Sequence, residues 1–344
     1  MTLPGSTMTP DYPVEGYDEA RARSVPVVHA TVDRLFRGVG RGAGTIVLGI
    51  MALVGVFLTV NAIKAISAIG IVKFVTTQEW SPETKHFGVA AVLTGTVLIA
   101  LVALLVAVPF SIGASLFITE VARGRLQTTM RSLIDLMAAV PSLIYGMWGL
   151  TWFEPRLVPF ATWLSTYFGW IPIFKVDGAD PHNALPNPAL YTASTFIAGL
   201  VVAMMIVPIQ TSIMIETFSR APQGEREGAF ALGATKWGMI RRVVLPFGKV
   251  GIIGGMMLGL GRALGETIAI YLIISPIYHI KFHVLQVGAD SVAAMIASRS
   301  GESNPFTMSA LMAAGLSLFL LTMVINFTAS TIMARSRSGA ESEG

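Results

Sequence analysis

The chain has 344 residues, of which 53% are hydrophobic and only 13% charged, with a mean hydropathy of +0.67. Soluble domains carry about 25% charged residues, so this deficit, with the apolar residues gathered in long runs, excludes an ordinary soluble fold and indicates an all-α membrane protein. The net charge is only +4 and cysteine is absent, so disulfides and cysteine-ligated metal sites are excluded and no nucleic-acid partner is expected.

Residues 1–44 are rich in Pro, Gly and charge without sustained periodicity. They read as an N-terminal tail, with a short interfacial helix over 25–37. No apolar core lies near Met1, so a cleaved signal peptide is not expected. Six apolar stretches follow, over 45–66, 89–118, 133–153, 191–215, 250–274 and 306–334. Each is long enough to cross a lipid bilayer, which takes about 20 residues. Together they define a membrane domain over 45–335, with a short tail over 336–344. Pro109, Pro141 and Pro208 fall inside the second, third and fourth stretches, where the missing N–H and the ring predict kinks.

Basic residues are unevenly placed. Arg21, Arg23, Arg34, Arg37 and Arg41 precede the first stretch, and Arg123, Arg125 and Arg131 follow the second. Arg220, Arg226, Lys236, Arg241, Arg242 and Lys249 lie between the fourth and fifth, and Arg335 and Arg337 follow the sixth. The alternate loops hold fewer, namely Lys64, Lys73, Lys85, Arg156, Lys175, Lys281 and Arg299. By the positive-inside rule both termini are expected in the cytoplasm. The external loop over 154–190 carries several prolines, and Trp152, Trp163 and Trp170 suit the aromatic belt at the interface.

The segment over 216–249, between the fourth and fifth stretches, is neither apolar enough to span nor polar enough to be disordered. Pro222 can open a helix over 223–232, with Glu225 and Glu227 in its first turn. Gly233 can take the left-handed conformation that ends it, and Thr235 can cap a second helix, which Pro246 should break. The bend would present Phe230, Leu232 and Trp237 among charged neighbours. Such a helix could lie flat on lipid or fit a groove on another protein.

The fifth stretch is glycine-rich. Gly251, Gly255 and Gly259 recur every four residues, a face that lets helices approach closely, and Gly261 and Gly265 make a further pair. Arg262 and Glu266 interrupt the stretch at a spacing that would place both on one helical face. A charge at bilayer depth costs about 2.5–3.5 kcal/mol, so the pair needs a reason to be there. It is either a structural ion pair inside the bundle or a site on a transport path. In the second case Arg262 would meet an anion and Glu266 would orient it or share a proton; a phosphate suits the guanidinium fork.

Two sets of residues resemble known families. Glu227-Gly228-Ala229, then Gly233, then Val243 and Leu245-Pro246, are similar to the "EAA" loop of binding-protein-dependent ABC importer permeases. Gly228 replaces Ala there and Val243 replaces Ile. The resemblance implies that Glu227, Gly228, Ala229, Phe230, Leu232, Gly233, Ala234, Leu245 and Pro246 form the coupling element that docks on an ATP-binding subunit. The run from Gly261 to Thr267, with Trp80-Ser81-Pro82, Phe87-Gly88, Leu93-Thr94-Gly95-Thr96 and the run from Pro141 to Gly149, resembles the phosphate-specific ABC permeases, the PstC kind more than PstA. This likeness covers roughly 45–335. It implies an ABC importer type I permease bundle of six transmembrane helices with Arg262 and Glu266 on the path of inorganic phosphate. It also implies a PstA-like second permease, a PstB-like ATPase dimer and an external PstS-like phosphate-binding protein.

No Walker sequence (GxxxxGK followed by Ser or Thr) occurs, so ATP hydrolysis is expected on separate subunits and no cofactor on this chain. His279 and His283 have no evident third ligand, so no metal site is expected there. A permease for another oxyanion, such as sulfate or molybdate, remains the nearest alternative. A stand-alone proton-coupled anion transporter using Glu266 is the alternative from another class.

Overall fold

A computed structural model describes residues 31–179, 187–302 and 304–338 of the chain. Most of the expected N-terminal tail, including Arg21 and Arg23, and the end of the C-terminal tail lie outside these residues. The chain divides into a short unit, Met1–Leu53, and a large one, Val54–Gly344.

The described backbone of the short unit is the first part of helix α1 (Thr31–Ile69). The interfacial helix expected over 25–37 is not a separate element where it is described. From Thr31 it belongs to α1, because no proline interrupts 31–69.

The large unit continues with α2 (Ile71–Thr76) and a small antiparallel hairpin that pairs β1 (Trp80–Ser81) with β2 (His86–Phe87). Helix α3 (Ala90–Leu116) ends in a wide π turn, Phe117–Val121. Then come α4 (Arg125–Ala139), α5 (Ser142–Trp148), a second π turn (Gly149–Phe153) and α6 (Glu154–Phe168). Helix α7 (Thr195–Ser219) leads to α8 (Gln223–Ala231) and α9 (Lys236–Met239). A third π turn (Ile240–Val244) joins α9 to α10 (Leu245–Gly265). The chain closes with α11 (Ile268–Ile273), α12 (Val292–Arg299) and α13 (Pro305–Ser338).

Among the described residues, five helical segments are long and apolar enough to cross a membrane. A sixth segment is long and apolar enough only as a bent pair, in which α4 and the α5–α6 segment meet at 90°. The stretch expected over 133–153 is therefore two helices. Pro141 has no N–H to give the Met137 carbonyl one turn back, and Val140 ahead of it is extended, as pre-proline residues prefer. The Met137 carbonyl instead accepts the Val140 N–H at 3.3 Å and the Tyr145 hydroxyl at 3.0 Å, which ties α5 to the end of α4 across the corner. Pro109 and Pro208, by contrast, lie within helices that run on unbroken through them.

The centre of the large unit is the pairing of α3 with α7. Ala100, Ala103 and Ala107 meet Ile197, Val201 and Val202, all buried. Helix α10 lies on α7 through its glycine face. A methyl group on Gly251 would collide with Thr217, and one on Gly259 with the Gln210 amide. Gly261 and Gly265 have open space beside them, so the second glycine pair is not a packing face. Gly259→Ala should therefore destabilise the folded chain by about 1–3 kcal/mol through overpacking. Thermal unfolding in detergent checks this, and an unchanged midpoint would contradict the close approach.

Elsewhere α1 and α13 are joined by Ser309, whose hydroxyl accepts from the Ala65 N–H at 3.2 Å and donates to the Asn61 carbonyl at 2.5 Å. The loop before α12 seats Asp290 against Gly95 of α3. Its carboxylate takes the Ser291 N–H at 2.8 Å, and burial pushes the carboxyl up to about 7. A raised acid pKa means that the native state holds the proton more tightly than the unfolded chain. Stability from this group is then highest below pH ~4 and falls as pH rises to ~7. Asp290→Asn should flatten that decline in the unfolding midpoint; an unchanged slope would contradict it.

Candidate functional site

Arg262 lies in the last turn of α10, where a cation complements the helix carbonyls. It is exposed and lines an open groove of about 520 Å³ with Ile209 of α7, Gly254, Met257, Leu258 and Gly261 of α10, and Asn326 of α13. Among the described residues no carboxylate lies within ion-pair distance of its guanidinium. The glycines at 254 and 261 leave the groove floor low.

Glu266 does not continue the helix. Its backbone is extended (φ −67, ψ 127), so the expected sharing of one helical face with Arg262 does not occur. The side chain is buried, and Oε1 accepts the Ala269 N–H at 3.3 Å at the start of α11. The Thr267 hydroxyl donates to the Gly265 carbonyl at 3.2 Å. Both side chains thus satisfy backbone groups that the break between α10 and α11 leaves open. The stretch expected over 250–274 is two helices for this reason. Irregular backbone at membrane depth is found where it is buried in protein or borders a water-filled cavity.

The segment between α7 and α10 folds close to its sequence reading. Helix α8 ends with the Gly233 N–H on the Phe230 carbonyl at 2.9 Å and the Ala234 N–H on the Ala229 carbonyl at 3.0 Å. This reverse turn needs a left-handed residue, and Gly233 has φ +80. Thr235 Oγ1 then accepts the Gly238 N–H at 3.1 Å and caps α9. Leu232 is 90% exposed, and Phe230 and Trp237 are also exposed. Glu227 and Gly228 are exposed beside them, while Ala229, Ala234 and Leu245 are half-buried. Pro246, expected to break the second helix, stands in the first turn of α10 instead. The π turn just ahead, closed by the Leu245 N–H on the Ile240 carbonyl, already shifts the hydrogen-bond ladder. The missing proline N–H therefore leaves no gap. Pro155 follows the turn at 149–153 in the same way.

Gln210 was not singled out by the sequence reading. It is fully buried in α7, and its Oε1 accepts from Ser111 Oγ of α3 at 3.3 Å. Asn326, across the groove from Arg262, is a second polar residue missed. Both were visible as lone amides within apolar stretches.

Sequence comparison shows the family. The profile of the binding-protein-dependent transport system inner membrane component family matches residues 107–338. The chain belongs to that family. This inner membrane component is 37% identical over 311 residues to phosphate transport system permease protein PstC 2 of Mycobacterium tuberculosis, covering 89% of the present chain and 93% of that protein. It is 36% identical over 298 residues to PstC of Pasteurella multocida, covering 86% and 90%. Within its family the inner membrane component is PstC-like. The solved bacterial alginate ABC transporter in complex with a pentasaccharide-bound periplasmic protein contains a chain that matches with a TM-score of 0.57 and 18% identity. The match covers 90% of this chain and 97% of that one. At that identity the likeness concerns fold alone, that of an ABC importer permease. The chain is thus a multi-pass membrane transport subunit.

Proposed function

We propose that this chain is one of two permease subunits of an ATP-driven, binding-protein-dependent importer of inorganic phosphate. The likeness to PstC proteins over about nine-tenths of both chains carries the reading. In it, residues 45–335 form the permease domain, both termini lie in the cytoplasm, and the segment over 216–249 faces a PstB-like ATPase dimer. A PstA-like permease completes the membrane path, and a PstS-like protein delivers phosphate from outside. ATP is hydrolysed on the ATPase subunits, not on this chain.

The geometry supports a division of labour. Arg262 meets phosphate: its planar fork offers paired N–H donors to phosphate oxygens, and among the described residues no carboxylate within reach neutralises it. Glu266 acts on the backbone by holding the break beside Arg262. Phe230, Leu232 and Trp237 form the apolar contact with the ATPase, since large apolar residues left exposed on both sides of the α8–α9 turn suit a protein interface. From Lys236 to Arg262 the chain is helical throughout, so a shift of the docking segment is carried along about 40 Å of helix.

The substrate is tested by uptake of labelled phosphate into vesicles holding the full assembly, challenged with excess unlabelled oxyanions. Unlabelled phosphate should compete and sulfate or molybdate should not. Equal competition by sulfate would overturn the phosphate assignment.

A further inference from the structure

The docking helix α8 is tied to the bundle by a contact that neither the motif nor the Arg262 groove uses. Glu120 sits in the π turn that ends α3, and its side chain is only 5% exposed. Arg226, in α8, places Nη1 at 3.0 Å from Glu120 Oε1, with 19% of its side chain exposed. Its Nη2 donates to the Phe218 carbonyl in the last turn of α7 at 2.6 Å. One guanidinium therefore holds three elements: α8, the end of α3 and the end of α7. Beside it Ala229 rests on the apolar cluster of Met214, Phe218 and Ile240.

A buried ion pair is a poor source of net stability, because removing both charges from water offsets most of their attraction. What it supplies is a defined geometry, since breaking it strands a charge. Helix α8 is also separated from α9 by the turn at Gly233. Motion of α8 can thus reach α3 and α7 through Arg226 without passing along α9 and α10.

We propose that the Arg226–Glu120 pair is a positioning contact that passes movement of α8 to α3 and α7 as one unit, and that import needs this second route. The proposal rests on the reading of α8 as the ATPase-docking element. The test uses the complete reconstituted transporter and reads phosphate uptake and ATP hydrolysis together. Glu120→Gln and Arg226→Gln should each leave assembly and hydrolysis in place and lower phosphate moved per ATP by about tenfold, the scale of coupling changes along such networks. The exchange Glu120→Arg with Arg226→Glu should restore much of the ratio. Because the chain has no cysteine, Glu120→Cys with Arg226→Cys provides a second form. Its ratio should be low with the thiols capped separately and should recover when a short bismaleimide joins them.

An unchanged ratio in the single variants overturns the proposal while the importer reading stands. Loss of assembly in every variant would make the pair a folding contact and also overturns it. No ATP-driven uptake by the unaltered transporter overturns the importer reading and this proposal together.

Discussion

Arg262→Ala is expected to abolish phosphate uptake, by about a hundredfold or more, with the complex still assembled. Removing one member of a desolvated charge contact raises the barrier by several kcal/mol. Assembly should survive because Arg262 is exposed to the groove and, among the described residues, pairs with no carboxylate, so its loss strands no partner there. Arg262→Lys keeps the charge and loses the fork, and uptake should fall between the two. The measurement is labelled phosphate uptake normalised to complex recovered by co-purification. Normal uptake by the alanine variant would remove Arg262 from the path. The same experiment on Glu266→Gln should show a milder loss, since the amide oxygen can still accept the Ala269 N–H.

Gly233→Pro is expected to separate ATP hydrolysis from transport, or to release the ATPase altogether. The glycine stands at φ +80 and donates its N–H to Phe230. Proline holds φ near −65° and has no N–H, so both conditions of the turn fail at once. Helix α8 would lose its end, and Leu232 and Phe230 would no longer be presented together. Co-purification of the ATPase should fall by about tenfold or more, the effect of losing a central apolar contact. Leu232→Asp keeps the turn and should weaken docking alone. Wild-type docking and uptake by Gly233→Pro would contradict the assignment of this segment.

Much of this architecture is legible in the chain because a bilayer imposes a length. Runs such as 89–118 and 306–334 have to be helical to satisfy their backbone in lipid. The segment over 216–249 is legible for a local reason: Pro222, Gly233 and Thr235 each fix a turn or cap through their own backbone chemistry. The break at Glu266 is less so. A spacing of four residues implies one face only while the helix continues, and nothing in Gly265-Glu266-Thr267 compels it to stop. Pro246 misleads for a related reason, since the breaking effect of proline depends on whether the preceding turn is α or π. The corner at Pro141 is readable as a kink, but its 90° is not, because the turn is closed by Tyr145 of the next helix reaching back to the Met137 carbonyl. The Arg226–Glu120 pair joins residues far apart in sequence and becomes visible only once α3 and α7 are packed.

The most direct test is labelled phosphate uptake by proteoliposomes holding this chain alone, or with the second permease, the ATPase dimer, the external binding protein and internal ATP. The account predicts uptake only in the complete, ATP-supplied assembly, and none when any one component is left out. Robust uptake by the chain alone under a pH gradient would contradict it and make the protein a secondary transporter.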